Sequence, residues 1–153
     1  MSKYKRILLA LDLKPEDDEP VSEQAMALAR SQGAEVNIIH VVEPIYTCGI
    51  PAGGENKFVE MQVEIEQSAK EQLQRIGQNL CVPPAKQFLA VGQIKKQLLR
   101  TAETIKADLI VVGCHAKHGM RALFMADTAN EMLHNANCDV LVINIPKKTN
   151  GNA

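Results

Sequence analysis

The sequence predicts an α/β protein built as one doubly wound parallel sheet of five strands with helices on both faces. Three observations predict it. Short apolar runs alternate with longer helical stripes from one end of the chain to the other. The apolar runs carry aliphatic residues at both alternate sets of positions, so both faces of each strand need cover. One helix stands between each pair of strands, which makes neighbouring strands parallel and their crossovers right-handed.

The elements follow in order. Residues 5–12 read as the first buried strand, ending at Asp12. An acidic turn over 13–19 follows, and Pro20 suits the first position of a helix. Val21, Ala25, Leu28 and Ala29 form its apolar stripe, and Gly33 is a C-terminal stop. Residues 35–42 (EVNIIHVV) are the second strand. The connection over 43–56 is long, a length common in lids and in irregular segments. Residues 57–80 form the longest helix. Its predicted inner face is Phe58, Met61, Ile65, Ala69, Leu73, Ile76 and Leu80, at three- and four-residue steps. Pro83 and Pro84 end it, and 85–91 is the third strand. Gly92 turns into a helix over 93–106 with Ile94, Leu98, Ala102 and Ile105 on one side. Residues 107–113 are the fourth strand. Thr128 and Glu131 have capping-box spacing and open the last helix, packed by Ala129, Met132, Leu133 and Ala136. Residues 138–145 are the fifth strand. One domain over 1–146 is expected, with 147–153 a frayed polar tail.

Composition narrows the function classes. A chain of 153 residues suits one domain with one core, and 3% aromatics without Trp make that core aliphatic. A net charge of -1 supplies no field for nucleic acid or an anionic membrane. No apolar run approaches the ~20 residues of a membrane span. The opening Met1-Ser-Lys-Tyr-Lys-Arg6 leads straight into an apolar run that Asp12 ends. That reads as a strand and not a signal peptide, so a cytoplasmic location is expected. Cys48, Cys81, Cys114 and Cys138 form neither a CxxC pair nor a disulfide lattice, and free thiols are the expectation.

The most telling stretch begins at Leu109-Ile-Val-Val-Gly-Cys-His-Ala-Lys-His-Gly119. An apolar run closes at Gly113, a polar loop follows, and a helical pattern starts near Ala126. A strand handing over to a helix N-terminus is a common phosphate cradle. Here the glycines such a cradle needs are mostly missing, and Asp127 stands where an anion would approach. Ligands of doubly wound sheets lie off the carboxyl ends of the strands, where strand order reverses. Asp12 and Gly113 both sit at such ends, and they flank one crevice if the first and fourth strands are neighbours.

Four segments stand in order along the chain: Tyr4-Lys-Arg-Ile-Leu-Leu-Ala-Leu-Asp12, Ala34-Glu-Val-Asn-Ile-Ile-His-Val-Val42, Ala107-Asp-Leu-Ile-Val-Val-Gly-Cys-His115 and Ala136-Asn-Cys-Asp-Val-Leu-Val-Ile143. Through them the chain resembles the universal stress protein family. The resemblance covers residues 1 to about 146 and implies a Rossmann-like sheet of strand order 3-2-1-4-5. Nucleotide-binding members carry G-x-x-G, nine residues, then G-[ST]. Gly113 matches the first glycine. Ala116 and Ala126 replace the other two, and Asp127 replaces the hydroxyl residue. Asp12 matches the acidic residue near adenosine, and Val42 a position whose backbone faces adenine. This departure resembles the UspA-type branch, which implies a homodimeric, non-catalytic stress protein with no cofactor. The alternative it leaves is an ATP- or AMP-binding member with slow hydrolysis. There Asp12 and Val42 would hold adenosine, and Gly113, His115, Lys117 and Asp127 would surround phosphate or a metal.

Physical chemistry points the same way as the departure. A Cβ at Ala116 or Ala126 narrows the approach of a phosphate to the backbone. Asp127 can cap the last helix itself, leaving a negative charge at the helix end. Repulsion between that carboxylate and a phosphate about 4 Å away is on the order of 1 to 4 kcal/mol. That weakens binding by roughly one to three decades. Lys117, His118 and Arg121 would offset part of it.

Other residues have plainer readings. Asp12 is equally a turn carboxylate. Cys114-His115-Ala-Lys-His118 contains metal-ligand types, but zinc needs about four converging ligands and no second paired motif appears. His40 reads as a hydrogen-bonded interior histidine, and His134 as solvent-facing. A reactive Cys114 at the switch point would make a redox sensor; an inert small residue beside the sheet is the favoured reading. The fifth strand, with Val140, Leu141, Val142 and Ile143, would expose backbone and aliphatic surface if it lies at an edge. Pairing with its copy in a second subunit removes both.

Overall fold

The computed structural model describes residues 2–45, 53–115 and 135–146. Its sheet consists of β1 (Arg6–Ala10), β2 (Glu35–Val42), β3 (Gln87–Val91), β4 (Leu109–His115) and β5 (Asp139–Ile145). The spatial order is β3-β2-β1-β4-β5, as expected, and every neighbouring pair is parallel. The chain winds outward from β1 to β3, then crosses to β4 and β5, so strand order reverses between β1 and β4. Asp108 pins that junction: its carboxylate accepts the N–H groups of Lys5 at 2.8 Å and Arg6 at 3.0 Å.

Two helices, α1 (Pro15–Gln32) and α2 (Glu55–Asn79), cover one face, and α3 (Ile94–Ile105) covers the other. Ile7, Leu9, Val36, Ile38, Leu109 and Val111 point towards α1 and α2. Their chain neighbours Leu8, Ile39, Ile110 and Val112 point towards α3. This alternation explains why the strands are apolar at every position. The largest fully buried side chains all lie on the central strands β2, β1 and β4. Each stabilises the fold by roughly 1.5–3 kcal/mol relative to exposure.

Four expectations are corrected in detail. Helix α1 begins at Pro15 and not at Pro20, which lies inside it. Lys14 is extended, Pro15 has the locked φ of a first helical position, and Glu16, Asp17 and Asp18 complement the positive helix end. The acidic run is therefore a first turn and not a loop. Residues Pro84–Lys86 form a 3-10 turn, so β3 starts at Gln87. The helix before them ends at Asn79, ahead of the two prolines, because Cys81 takes a left-handed φ of 58° and Val82 N–H returns to the Gly77 carbonyl at 2.8 Å. Fourth, Met61 and Ile65 do not face the core: they are 48% and 41% exposed. A helix of 25 residues spans about 37 Å, whereas the 8 residues of β2 span about 26 Å. The first turns of α2 overhang the strand ends, and its buried residues Ala69, Leu73 and Gly77 all lie further along.

Gly33 ends α1 with φ 65°, the stop that was expected. Strand β4 continues two residues past Gly113 to His115, in register with Asn144 and Ile145 of β5. Among the described residues no helix is long and apolar enough to cross a membrane. The last helix, with Thr128 and Glu131, the tail over 147–153, Cys48 and His134 lie outside the described residues.

Candidate functional site

A crevice of about 110 Å³ opens at the carboxyl end of the sheet, where β1 and β4 part. Strands β1 and β4 are neighbours, so Asp12 and Gly113 line one wall together, as the sequence suggested. The floor is aliphatic, with Ile39, Val41, Leu98 and Val112 on the α3 side and Val21 and Ile145 on the α1 side. The polar end carries Asp12, Asp17, Asp18 and His40. No Lys or Arg is among the described residues that line it.

Asp18 organises that end. It is 7% exposed, and its two oxygens accept the N–H groups of Asp12 and Leu13, each at 2.8 Å. These bonds hold the turn between β1 and α1, in which Leu13 has a left-handed φ of 64°. Burial pushes the Asp18 carboxyl up to about 6; the two N–H groups and His40 oppose the shift, and the Asp12 charge adds to it. His40 is the interior histidine expected: its Nδ1 donates to the Leu11 carbonyl at 2.7 Å.

His115 Nε2 lies 3.0 Å from Asp17 Oδ2, and its Nδ1 is buried without a partner among the described residues. The imidazole is thus directed to α1 by a carboxylate of that helix. Gly113 is closed in on its Cα side. A Cβ built there would lie 2.7 Å from Ile145 Cδ1 and 2.8 Å from Val21 Cγ2. This glycine lets α1 and β5 approach β4. The space beside its Cα is occupied by aliphatic side chains.

The other site residues are distributed as follows. Val42 is buried at the end of β2, outside the crevice lining, and its carbonyl accepts the Gly92 N–H at 3.0 Å. Lys117 and Asp127, with Ala116, His118, Arg121 and Ala126, lie outside the described residues. Cys81, Cys114 and Cys138 are free thiols. Cys114 and His115 are successive strand residues and project to opposite faces, which separates thiol from imidazole. Burial raises the Cys138 thiol above its ordinary value. On the edge strand β5, Val140 is half-buried, Leu141 and Val142 are 36% and 37% exposed, and Ile143 is buried in the core.

Sequence reading missed Asp17 and Asp18. The signal was present in Glu16-Asp-Asp-Glu19, because an acidic first turn just after a strand end can reach back to it. Treating those residues as a turn hid the geometry.

The reversal of strand order, the crevice above it and the Asp12–Gly113 wall define a doubly wound α/β fold. The chain matches the Universal stress protein family over residues 3–144. It belongs to that family. Universal stress protein A homolog 2 of Coxiella burnetii is 36% identical over 145 residues, covering 95% of this chain and 98% of the relative. Among solved structures, universal stress protein UspA from Lactobacillus plantarum superposes with TM-score 0.73 at 20% identity, over 94% of this chain and 99% of that one. A universal stress protein solved in complex with cAMP gives TM-score 0.61 at 16% identity, over 95% and 100%. At these identities the two structures speak to the fold.

Proposed function

We propose that this protein is a UspA-type stress-response protein of the cytoplasm, a homodimer that acts by interaction and not by turnover, without a cofactor. One observation carries the reading. The crevice where this fold would receive an anion has an aliphatic lining, with Val21 and Ile145 packed beside the Cα of Gly113, and its polar end carries the carboxyl groups of Asp12, Asp17 and Asp18. Three carboxyl groups disfavour a phosphate, and no Lys or Arg among the described lining residues offsets them. The replacements Ala116, Ala126 and Asp127 act in the same sense. The exposed Leu141 and Val142 on edge strand β5 favour pairing with a second copy, since an unpaired aliphatic edge invites association.

A second reading, adenine-nucleotide binding through Asp12, Val42, Gly113, His115, Lys117 and Asp127, is favoured by the fold shared with the cAMP complex. Native mass spectrometry of gently purified protein separates the two, because subunit number and any retained nucleotide appear together. The first reading expects a dimer without nucleotide and ATP affinity weaker than micromolar by calorimetry. Micromolar ATP binding by the wild-type protein overturns it. Ala116→Gly, Ala126→Gly and Asp127→Ser combined should strengthen ATP binding by about tenfold or more, the lower end of the repulsion estimated above. An unchanged affinity would put the obstruction elsewhere.

A further inference from the structure

We propose that the groove between α1 and α2 receives a second copy of this chain, with the two α1 helices packed antiparallel about a two-fold axis. The groove follows from where the helices sit. Helix α1 packs chiefly on β4 and β5, α2 packs on β2 and β3, and the two scarcely touch each other. About 970 Å³ lies between them. The floor is formed by Ser22 and Met26 of α1 with Ile76 and Leu80 at the end of α2. Met26, Ile76 and Leu80 pack against the core but remain only half-buried. Covering them removes apolar surface from water.

The α1 wall carries the charges. Glu19, Glu23 and Arg30 line the groove and are exposed, and none of the three takes part in an ion pair among the described residues. Asp18 also lines it, but both of its oxygens are committed to the N–H groups of Asp12 and Leu13. Residues 19, 23, 26 and 30 follow three- and four-residue steps and form one ridge about 16 Å long. Along α1 the ridge is negative, negative, apolar, positive. An identical ridge laid against it in the opposite direction, centred between Glu23 and Met26, sets Glu19 against the partner's Arg30. By symmetry it also sets Arg30 against the partner's Glu19. Glu23 then lies beside the partner's Met26. A parallel copy in the same register would oppose Glu19 to Glu19 and Arg30 to Arg30. The ridge thus supplies both halves of each ion pair, and a copy of the chain satisfies it without a different protein.

Two helices that meet over about three turns bury less than the ~1,200 Å² of stable complexes, so the association is weak, in the micromolar range. The groove is on the α2 side of α1, and β5 is the far edge of the sheet. Neither contact needs the other, and this surface does not rest on the β5 pairing proposed above.

The test is sedimentation between about 5 and 500 μM, in the wild type and with Leu141→Lys, which removes any β5 pairing. In each background Glu19→Arg, Arg30→Glu and the two together are compared. Both residues are exposed, so folding is retained, and circular dichroism checks it. With Leu141→Lys, association from monomer to dimer is expected within that range. Each single reversal replaces two attractive pairs by two repulsive ones and should weaken this step about tenfold or more. The combined reversal restores opposite charges and should return the step to within about threefold. In the wild type the same step takes the β5 dimer to larger species and responds to the same reversals. A Leu141→Lys protein that stays monomeric at the highest concentration overturns the proposal and leaves the groove to a helix of another protein. Single reversals without effect also overturn it, and so does a combined variant as weak as either single one. Failure of the β5 reading looks different: Leu141→Lys then leaves the wild-type assembly unchanged, while Glu19→Arg still weakens it.

Discussion

Gly113→Ala tests whether this glycine is present for packing. Gly113 is absent from the positive-φ residues, so alanine meets no backbone strain there. The new methyl meets Ile145 Cδ1 at 2.7 Å and Val21 Cγ2 at 2.8 Å. Carbon atoms rest at about 3.5–4.0 Å, so roughly 1 Å must be found on each side. Val21 is 2% exposed and sits in α1, where a β-branched side chain has one strongly preferred rotamer. It yields poorly. Overpacking of this kind costs about 1–3 kcal/mol, and the reduced freedom of the unfolded chain returns about 0.4–1 kcal/mol. The net loss is about 1–2 kcal/mol, or roughly 2–8 °C in Tm for a domain of this size. Urea and thermal denaturation of the single variant give the first reading. The decisive measurement is a double-mutant cycle with Val21→Ala. That change alone removes two buried methyl groups and costs about 2 kcal/mol. In the pair, the space vacated at 21 relieves the Val21 contact and leaves that with Ile145, so adding the methyl to Val21→Ala should cost clearly less than adding it to the wild type. A coupling of about 1 kcal/mol or more follows. Additivity within ~0.5 kcal/mol would show that a side chain at 113 and Val21 do not compete for one space, and the packing explanation of Gly113 would fail.

Two further outcomes follow from the same structure. Because burial raises the Asp18 carboxyl from 3.8 to about 6, the folded chain takes up a proton before the unfolded chain does. Its contribution to stability is then full below 3.8 and falls as pH rises through 6. Between pH 5 and 7 the loss is on the order of 1 kcal/mol. Lys3 and Tyr4 lower the Asp139 carboxyl, and that contribution has the opposite sign: it is present above 3.8 and lost only in stronger acid. Urea midpoints at pH 5 and 7, for wild type and Asp18→Asn, isolate the Asp18 effect; an equal slope in both would disprove it. On β5, Leu141→Lys or Val142→Lys places a charge on an exposed edge and should convert dimer to monomer in sedimentation without loss of folding. Ile143→Lys is a different experiment, because Ile143 is 4% exposed and a lysine there unfolds the subunit. Wild type sedimenting as a monomer would remove the proposed interface.

Most strand positions were readable from sequence because local pattern and burial agreed. Glu35–Val42 is apolar on both faces and is a strand over those very residues. Gly33 marks the end of α1 because few other residues tolerate its φ. Pattern failed where one local rule had two solutions. Pro15 and Pro20 both suit a helix start, and only packing of the acidic turn under β1 selects the first. Met61 and Ile65 have helical spacing with Ala69, yet spacing carries no information about where the sheet beneath them ends.

From sequence alone came the alternation of elements, the aliphatic double-faced core, the family and the broken glycine pattern, because each depends on residue type and short-range spacing. Tertiary structure alone decided what surrounds Gly113 and where Asp18 points. Val21, Gly113 and Ile145 lie on three separate elements, and Asp18 reaches back across a turn to the end of β1. Contacts between segments distant along the chain arise from how helices pack on the sheet, and no periodicity within a single segment encodes them.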